Sequence, residues 1–171
     1  GVARQHVLPL PMDAAMPVFT PDDLMAGRCP TGQVVLYDDD HFYMGGVLAE
    51  LLVQKGCEVT LITTAALVLE WTVNTLEQHE IHRRLAEMGV RIDLNRGVMA
   101  VNAGSVTTNC VFTGQTREDP AEAVVIVGSR APRDAVFAAL QAQEPAWADA
   151  GIKSVQLIGD ANAPGPIAWA T

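Results

Sequence analysis

The sequence predicts an α/β fold: a buried parallel sheet with an antiparallel meander inserted before its last strand. Three observations predict it. The blocks "QVVLY", "EVTLI" and "AEAVVIV" are apolar almost without interruption, as strands buried on both faces are. About 20 residues that read as a helix join the first two blocks, and a crossover of that length makes a strand pair parallel and right-handed. The stretch "GVMAVNAGSVTTNCVFTGQ" alternates around a turn signal at Asn102–Gly104, which reads as antiparallel strands.

The elements follow in order. Residues 1–30 hold five prolines and read as an extended linker arm. Within them "TPDDLMAG" predicts one short helix, with Thr20 as N-cap, Pro21 as first helical residue and Gly27 as stop. Gln33–Tyr37 is the first strand. Gly45–Lys55 is a helix with Val47, Leu48, Leu51 and Leu52 on one stripe, ended by Gly56. Glu58–Ile62 is the second strand. Thr75–Met88 is a second helix carrying Leu76, Ile81, Leu85 and Met88, and Gly89 stops it. "VRIDLN" is the third strand, and the meander occupies 97–115. After "AEAVVIVGSR" come a helix over Arg133–Gln143, a helical turn in "EPAWADAG", and a closing strand in "SVQLIGD". This order is the layout of the NAD(P)-binding domain of two-dinucleotide-domain flavoproteins, a Rossmann-like sheet with a β-meander.

Such a site rests on glycines that bring backbone close to a pyrophosphate, a helix N-terminus aimed at it, and an acid at the end of the second strand for the ribose. Here "YDDDHFYMGG" replaces the glycine loop. Gly45 takes the third glycine position, with Gly46 beside it, while Asp38, Asp39 and Asp40 stand where amides would meet phosphate. Like charges about 4 Å apart repel by roughly 4 kcal/mol at an effective dielectric of about 20. A helix dipole returns only about 0.3–1 kcal/mol, and about 2 at best. The second strand ends in Thr63 and Thr64, not an acid. Weak or absent NAD(P)H binding in the usual pose is the expectation. For the aspartates three roles stay open: capping the helix near Gly45, holding a divalent cation, and meeting another domain.

With 11 Lys and Arg against 20 Asp and Glu the formal charge is -9, which argues against nucleic acid and anionic membranes as partners. No apolar run is long enough to span a bilayer and no signal peptide opens the chain. Cys29, Cys57 and Cys110 are widely spaced, which argues for reduced cytosolic thiols and a cytoplasmic location rather than a zinc site, a cluster or disulfides. The start at Gly1 and the stop in "IAWAT" lead to the expectation of a fragment.

The blocks "VVLYDDDHFYMGGVLAELL", "GCEVTLITTAALVLEWTVNTLEQHEIHRRLAEMGV" and "SVQLIGDANAP" resemble the C-terminal half of the trimethylamine dehydrogenase-like flavoenzymes. These include dimethylamine and histamine dehydrogenases, within the NADH:flavin oxidoreductase (old-yellow-enzyme-like) family. The resemblance runs from about Thr20 onward. It implies a parent oxidoreductase whose N-terminal (β/α)8 barrel carries FMN and a 4Fe–4S cluster. It also implies a FAD-like domain that holds ADP or nothing, and a homo-oligomeric assembly. On this reading residues 1–30 are an arm from the FAD-like neighbour, 31–153 the NAD(P)-binding-like domain, and 154–171 a truncated return into the FAD-like domain. No cofactor is expected on the fragment and no catalytic residue carries over. Gly159 and Asp160 match the G-D motif whose aspartate binds ribityl hydroxyls in flavoproteins, an acceptor role suited to a carboxylate. Arg130, in "GSR", matches the Gly-Arg turn of the NADPH-like domains, to pair a phosphate or the Asp38–Asp40 cluster. The alternative is a functional module for ADP or NAD(P)H.

Other candidates have plainer readings. His79 and His82 lack a third ligand and read as a solvated helix face. His41 and Tyr43 sit in the aspartate loop, where nothing supplies a substrate. Trp71, Trp147 and Trp169 read as packing or inter-domain contacts, and an exposed Trp71 would mark a docking face.

Overall fold

The computed structural model describes residues 4–5 and 9–165. Trp169 and the ends of the arm and of the return segment lie outside them. In chain order the elements are β1 (Arg4–Gln5), β2 (Val18–Phe19), α1 (Pro21–Met25), β3 (Gln33–Asp38), α2 (Tyr43–Gln54), β4 (Glu58–Thr63) and a 3-10 helix over Glu70–Thr75. Next are α3 (Gln78–Glu87), β5 (Arg91–Asp93), β6 (Arg96–Asn102), β7 (Ser105–Cys110), β8 (Thr116–Pro120) and β9 (Ala123–Val127). β10 (Arg130–Ala131), α4 (Ala135–Gln141) and 3-10 turns at Glu144–Ala146 and Gly159–Ala161 follow. The chain divides into two compact units, Val7–Gly128 and Gly1–His6 with Ser129–Thr171.

In the larger unit β2, β9, β3, β4 and β5 form, in that order, a five-stranded parallel sheet. Successive side chains of a strand face opposite ways, and both faces are covered. On one, Val34, Leu36, Val59, Leu61, Val125 and Val127 meet α2 through Leu48, Ala49 and Leu52, α3 through Leu85, and α1 through Leu24. On the other, Val35, Tyr37, Ile62, Val124 and Ile126 meet the β6–β7–β8 meander through Val98, Val101 and Val106. Leu36, Leu52, Leu61 and Leu85 are fully buried, each side chain contributing about 1.5–3 kcal/mol by leaving water. The expected parallel sheet with its meander is therefore present.

α1 forms as its sequence predicts. Thr20 Oγ1 accepts the Asp23 N–H and the Asp23 carboxylate accepts the Thr20 N–H at 2.8 Å, a reciprocal capping box. Gly27 then takes the left-handed conformation at φ 85°. The stretch read as a linker also supplies Val18–Phe19, paired with Val124 and Val125 at the sheet edge.

Several elements differ from expectation. The helix read over 75–88 is two pieces, because Leu76 takes φ 64° and ends the 3-10 helix before α3 starts. Leu76 is 92% exposed, and Val47 points outward from α2. The meander has a third strand, β8, whose "TREDP" carries no apolar signal. Its one buried side chain, Asp119, accepts from Thr108 Oγ1 at 2.8 Å and pairs with Arg117, which balances a charge taken out of water.

In the smaller unit β1 and β10 pair antiparallel. α4 buries none of its residues, and Trp147 Nε1 donates to the Leu140 carbonyl at 2.8 Å. "SVQLIGD" is not a strand: it runs irregularly into the Gly159–Ala161 turn, with Ile158 78% exposed. A strand needs a neighbouring ladder for its amides and carbonyls, and among the described residues this segment has none.

Candidate functional site at the carboxyl edge of the parallel sheet

β4, β3 and β9 end level with one another, since Asp38 pairs with Thr63 on one side and Val127 on the other. Ligands of open α/β sheets sit beyond such carboxyl ends. The chain leaves β3 through a turn of four residues, 39–42, and enters α2 at Tyr43.

Asp38 organises that turn from beneath. It is fully buried, and its Oδ1 accepts the backbone N–H groups of Asp40 at 3.3 Å and His41 at 3.2 Å. Its Oδ2 is buried with no hydrogen-bond partner. Burial pushes the carboxyl up to about 7; the charges of Asp40 and Asp39 add to that, while the His41 and Asp40 amides oppose it. Asp38 is thus an internal group, not one of three charges facing a ligand. Asp39 donates its N–H to the Val127 carbonyl at 2.8 Å. Burial and the Asp39 carboxylate push the Tyr37 phenol above its ordinary range, and Tyr37 donates to Asp39 Oδ1 at 3.4 Å.

Capping of α2 by an aspartate, one of the three roles open to the loop, is not found among the described hydrogen bonds. Phe42 is the N-cap and no side chain caps it. Asp38 spends its bonding oxygen on the turn amides before the helix. His41 takes φ 60°, and its Nδ1 lies 3.1 Å from Thr63 Oγ1, which also accepts the Ala65 N–H at 3.3 Å. The hydroxyl at the end of β4 is therefore engaged by the protein itself.

Gly45 and Gly46 are both buried in the first turn of α2. A Cβ on Gly45 would lie 2.7 Å from Asp38 Cγ, and one on Gly46 2.6 Å from Leu69 Cδ2. Gly45 thus serves helix–strand packing, with a carboxyl as its neighbour. Leu69 belongs to the connection 64–77, which folds over the start of α2. The Trp71 N–H donates to the His41 carbonyl at 3.0 Å. Tyr43 donates to Thr75 Oγ1 at 2.8 Å and bonds Glu77. Leu69 and Leu76 bracket this cover at φ 50° and 64°. Trp71 is 46% exposed on it. No motif announces the cover; the signal that was available is its length, unusual for a strand-to-helix connection.

The other candidate residues belong to other elements. Arg130 is in β10 of the smaller unit, opposite Gln5. Gly159, at φ 57°, and the exposed Asp160 form the 3-10 turn of that unit. His79 is exposed and His82 half-buried on α3. A concavity of about 470 Å³, lined by Gln33, Cys57, Glu58, Met88 and Arg91 among others, lies at the opposite, amino edge of the sheet.

Residues 19–121 match the OYE-like second alpha/beta domain. The chain belongs to that family. It is 29% identical to the dimethylamine dehydrogenase of Hyphomicrobium sp. (strain x), over all of this chain and 26% of that protein. Its fold is similar to histamine dehydrogenase from Rhizobium sp. 4-9, with a TM-score of 0.89, 55% identity, and coverage of 99% of this chain and 27% of that one. It is also similar to 6-hydroxypseudooxynicotine amine oxidase from Pseudomonas geniculata N1, with a TM-score of 0.85, 35% identity, and coverage of 99% and 25%. The chain spans about a quarter of the length of these relatives. Among the described residues no helix is long and apolar enough to cross a membrane.

Proposed function

We propose that this chain is the second α/β domain of a larger flavin-dependent amine-oxidising enzyme, retained as a degenerate nucleotide-binding domain with a role in assembly. The names of its relatives, two dehydrogenases of amines and an amine oxidase, support the class of the parent. FMN, a 4Fe–4S cluster and the reacting groups belong, on this reading, to the remainder of the parent. Within the chain, 31–153 is the nucleotide-domain relic, 1–30 and 154–171 are arms toward a FAD-like neighbour, and no residue is catalytic.

The observation that carries the structural role is Leu69 packed on Gly46. Gly46 lies in the first turn of α2, at the helix N-terminus that a pyrophosphate would have to approach, and Leu69 of the 64–77 connection closes over that turn. Two further features agree. The Asp40 and His41 amides already bond Asp38, and Thr63 Oγ1, in the place of the ribose acid, is taken by His41. A dinucleotide in its usual pose does not fit these residues.

Calorimetric titration with ADP, NADH and NADPH tests the proposal. No saturable heat at ligand concentrations up to about 1 mM, an affinity too weak for a working nucleotide site, supports it. The second reading, a working adenine-nucleotide module, rests on Gly159 and the exposed Asp160 of the smaller unit. Micromolar binding lost in Asp160→Ala supports that module instead. Micromolar binding with ligand density over Asp38–Gly46 overturns the relic reading outright.

A further inference from the structure

Buried carboxyls are as a rule seated against donors, because an oxygen without one carries the full cost of desolvation. Asp38 is seated by half. Oδ1 holds two turn amides, Oδ2 holds nothing, and Gly45 closes over the carboxyl carbon from α2. We propose that Asp38 is a proton-dependent latch: its uncharged carboxyl holds the 39–42 turn against the sheet, and the turn opens more readily as pH rises.

The surroundings of the carboxyl disfavour its charged form. From β3 itself and the turn, the charged groups facing it are Asp40 and Asp39, both acidic, and both favour the neutral form. α2 presents Gly45, β4 presents Thr63 and β9 presents Val127 at the paired positions, none of them charged. His41 contributes its amide, while its ring is turned to Thr63. None of these groups is a cation, so a buried carboxylate with one bare oxygen is the unfavourable species, in line with its displacement to about 7.

When the turn lifts, Asp38 reaches water and regains the ordinary acidity of 3.8. Between these two values opening releases a proton, so opening becomes easier with each step up in pH. Above about 7 both states are ionised and the dependence stops. The Trp71 N–H bonded to the His41 carbonyl ties the same turn to the 64–77 cover, so the latch also sets how firmly that cover is held.

The test is amide hydrogen exchange on this chain at pH 5, 6, 7 and 8, with intrinsic base catalysis divided out. For the Asp40 and His41 amides the opening constant is expected to rise by up to about tenfold per pH unit from 5 to 7, then level. It should stay flat in Asp38→Asn and keep its rise in His41→Asn. A flat wild-type profile, an unchanged rise in Asp38→Asn, or a rise lost only in His41→Asn overturns the latch. Should Asp38→Asn fail to fold, the carboxyl-carbon chemical shift of Asp38 in the wild type decides. A midpoint that matches the exchange profile supports the proposal; one below about pH 5 overturns it.

Discussion

The two ends of the parallel sheet solve one problem with different residues. At the amino end the left-handed turns before β3, β4 and β5 are made by Gly32, Gly56 and Gly89. At the carboxyl end the left-handed positions after the same strands are held by His41, Leu69, Leu76 and Asn95. Glycine adopts that conformation without strain, whereas other L-residues store about 1–2 kcal/mol. The amino end is relaxed and faces water, with Gln33, Glu58 and Arg91 exposed. The carboxyl end is strained and buries Asp38 and Thr63. Strain of this kind persists where surrounding packing over-determines it, and it gathers at sites of function. Here it gathers at the edge beyond which ligands of open α/β sheets sit, and it holds the 64–77 cover against the start of α2.

The two ends differ most in energy at Asp38. A carboxyl raised from 3.8 to about 7 in the folded state binds a proton that the unfolded chain has released. Its stabilising contribution is therefore greatest below about pH 4 and is lost as pH rises to about 7, about 4 kcal/mol over that interval. Urea unfolding between pH 4 and 8 is expected to show this loss in the wild type, against the background of the other carboxylates, and Asp38→Asn is expected to lack it.

Next comes Gly46→Val. The first added carbon already meets Leu69 at 2.6 Å, so the substitution overpacks the cover and is expected to cost about 3 kcal/mol, read as a fall in the urea midpoint. At the amino end Gly89→Ala meets no atom within 4 Å. Its cost is conformational alone, about 1–2 kcal/mol, and calorimetry should show a correspondingly lower Tm. The smallest effect has the opposite sign. Leu76 is 92% exposed at φ 64°, so Leu76→Gly relieves strain while loosening the unfolded chain, for a net gain of about 0.5 kcal/mol in this chain. A clear loss of stability there would mean that the Leu76 side chain makes contacts in solution.

Much of this contrast lies beyond pattern reading. β3, β4 and β9 are legible because strands covered on both faces must be apolar throughout. α1 is legible because Thr20, Pro21, Asp23 and Gly27 each carry a local instruction. The burial of Asp38 is not, since three acids in a row read as solvated. Only the two-residue period, which puts Asp38 in phase with Val34 and Leu36 beneath α2, points inward. The break at Leu76 is hidden because leucine favours helix and the left-handed turn is imposed by tertiary contacts. β8 escapes because its faces are polar and its buried member is a paired acid. The strand expected in "SVQLIGD" has the right pattern but no partner among the described residues. Of the site, Gly45 as a packing glycine was readable from its place before "VLAELL", while the cover formed by Leu69, Trp71 and Thr75 was not.

The short edges of the sheet carry a last consequence. β9 is "AVVIV", fully buried, and its outer flank is covered by the two residues of β2. Such a run, uncharged and rich in β-branched residues, is the kind that templates cross-β association when bared. Val18 and Phe19 therefore act as a guard strip: the proline-rich segment that looks like mere tether covers the outer flank of a fibril-prone strand.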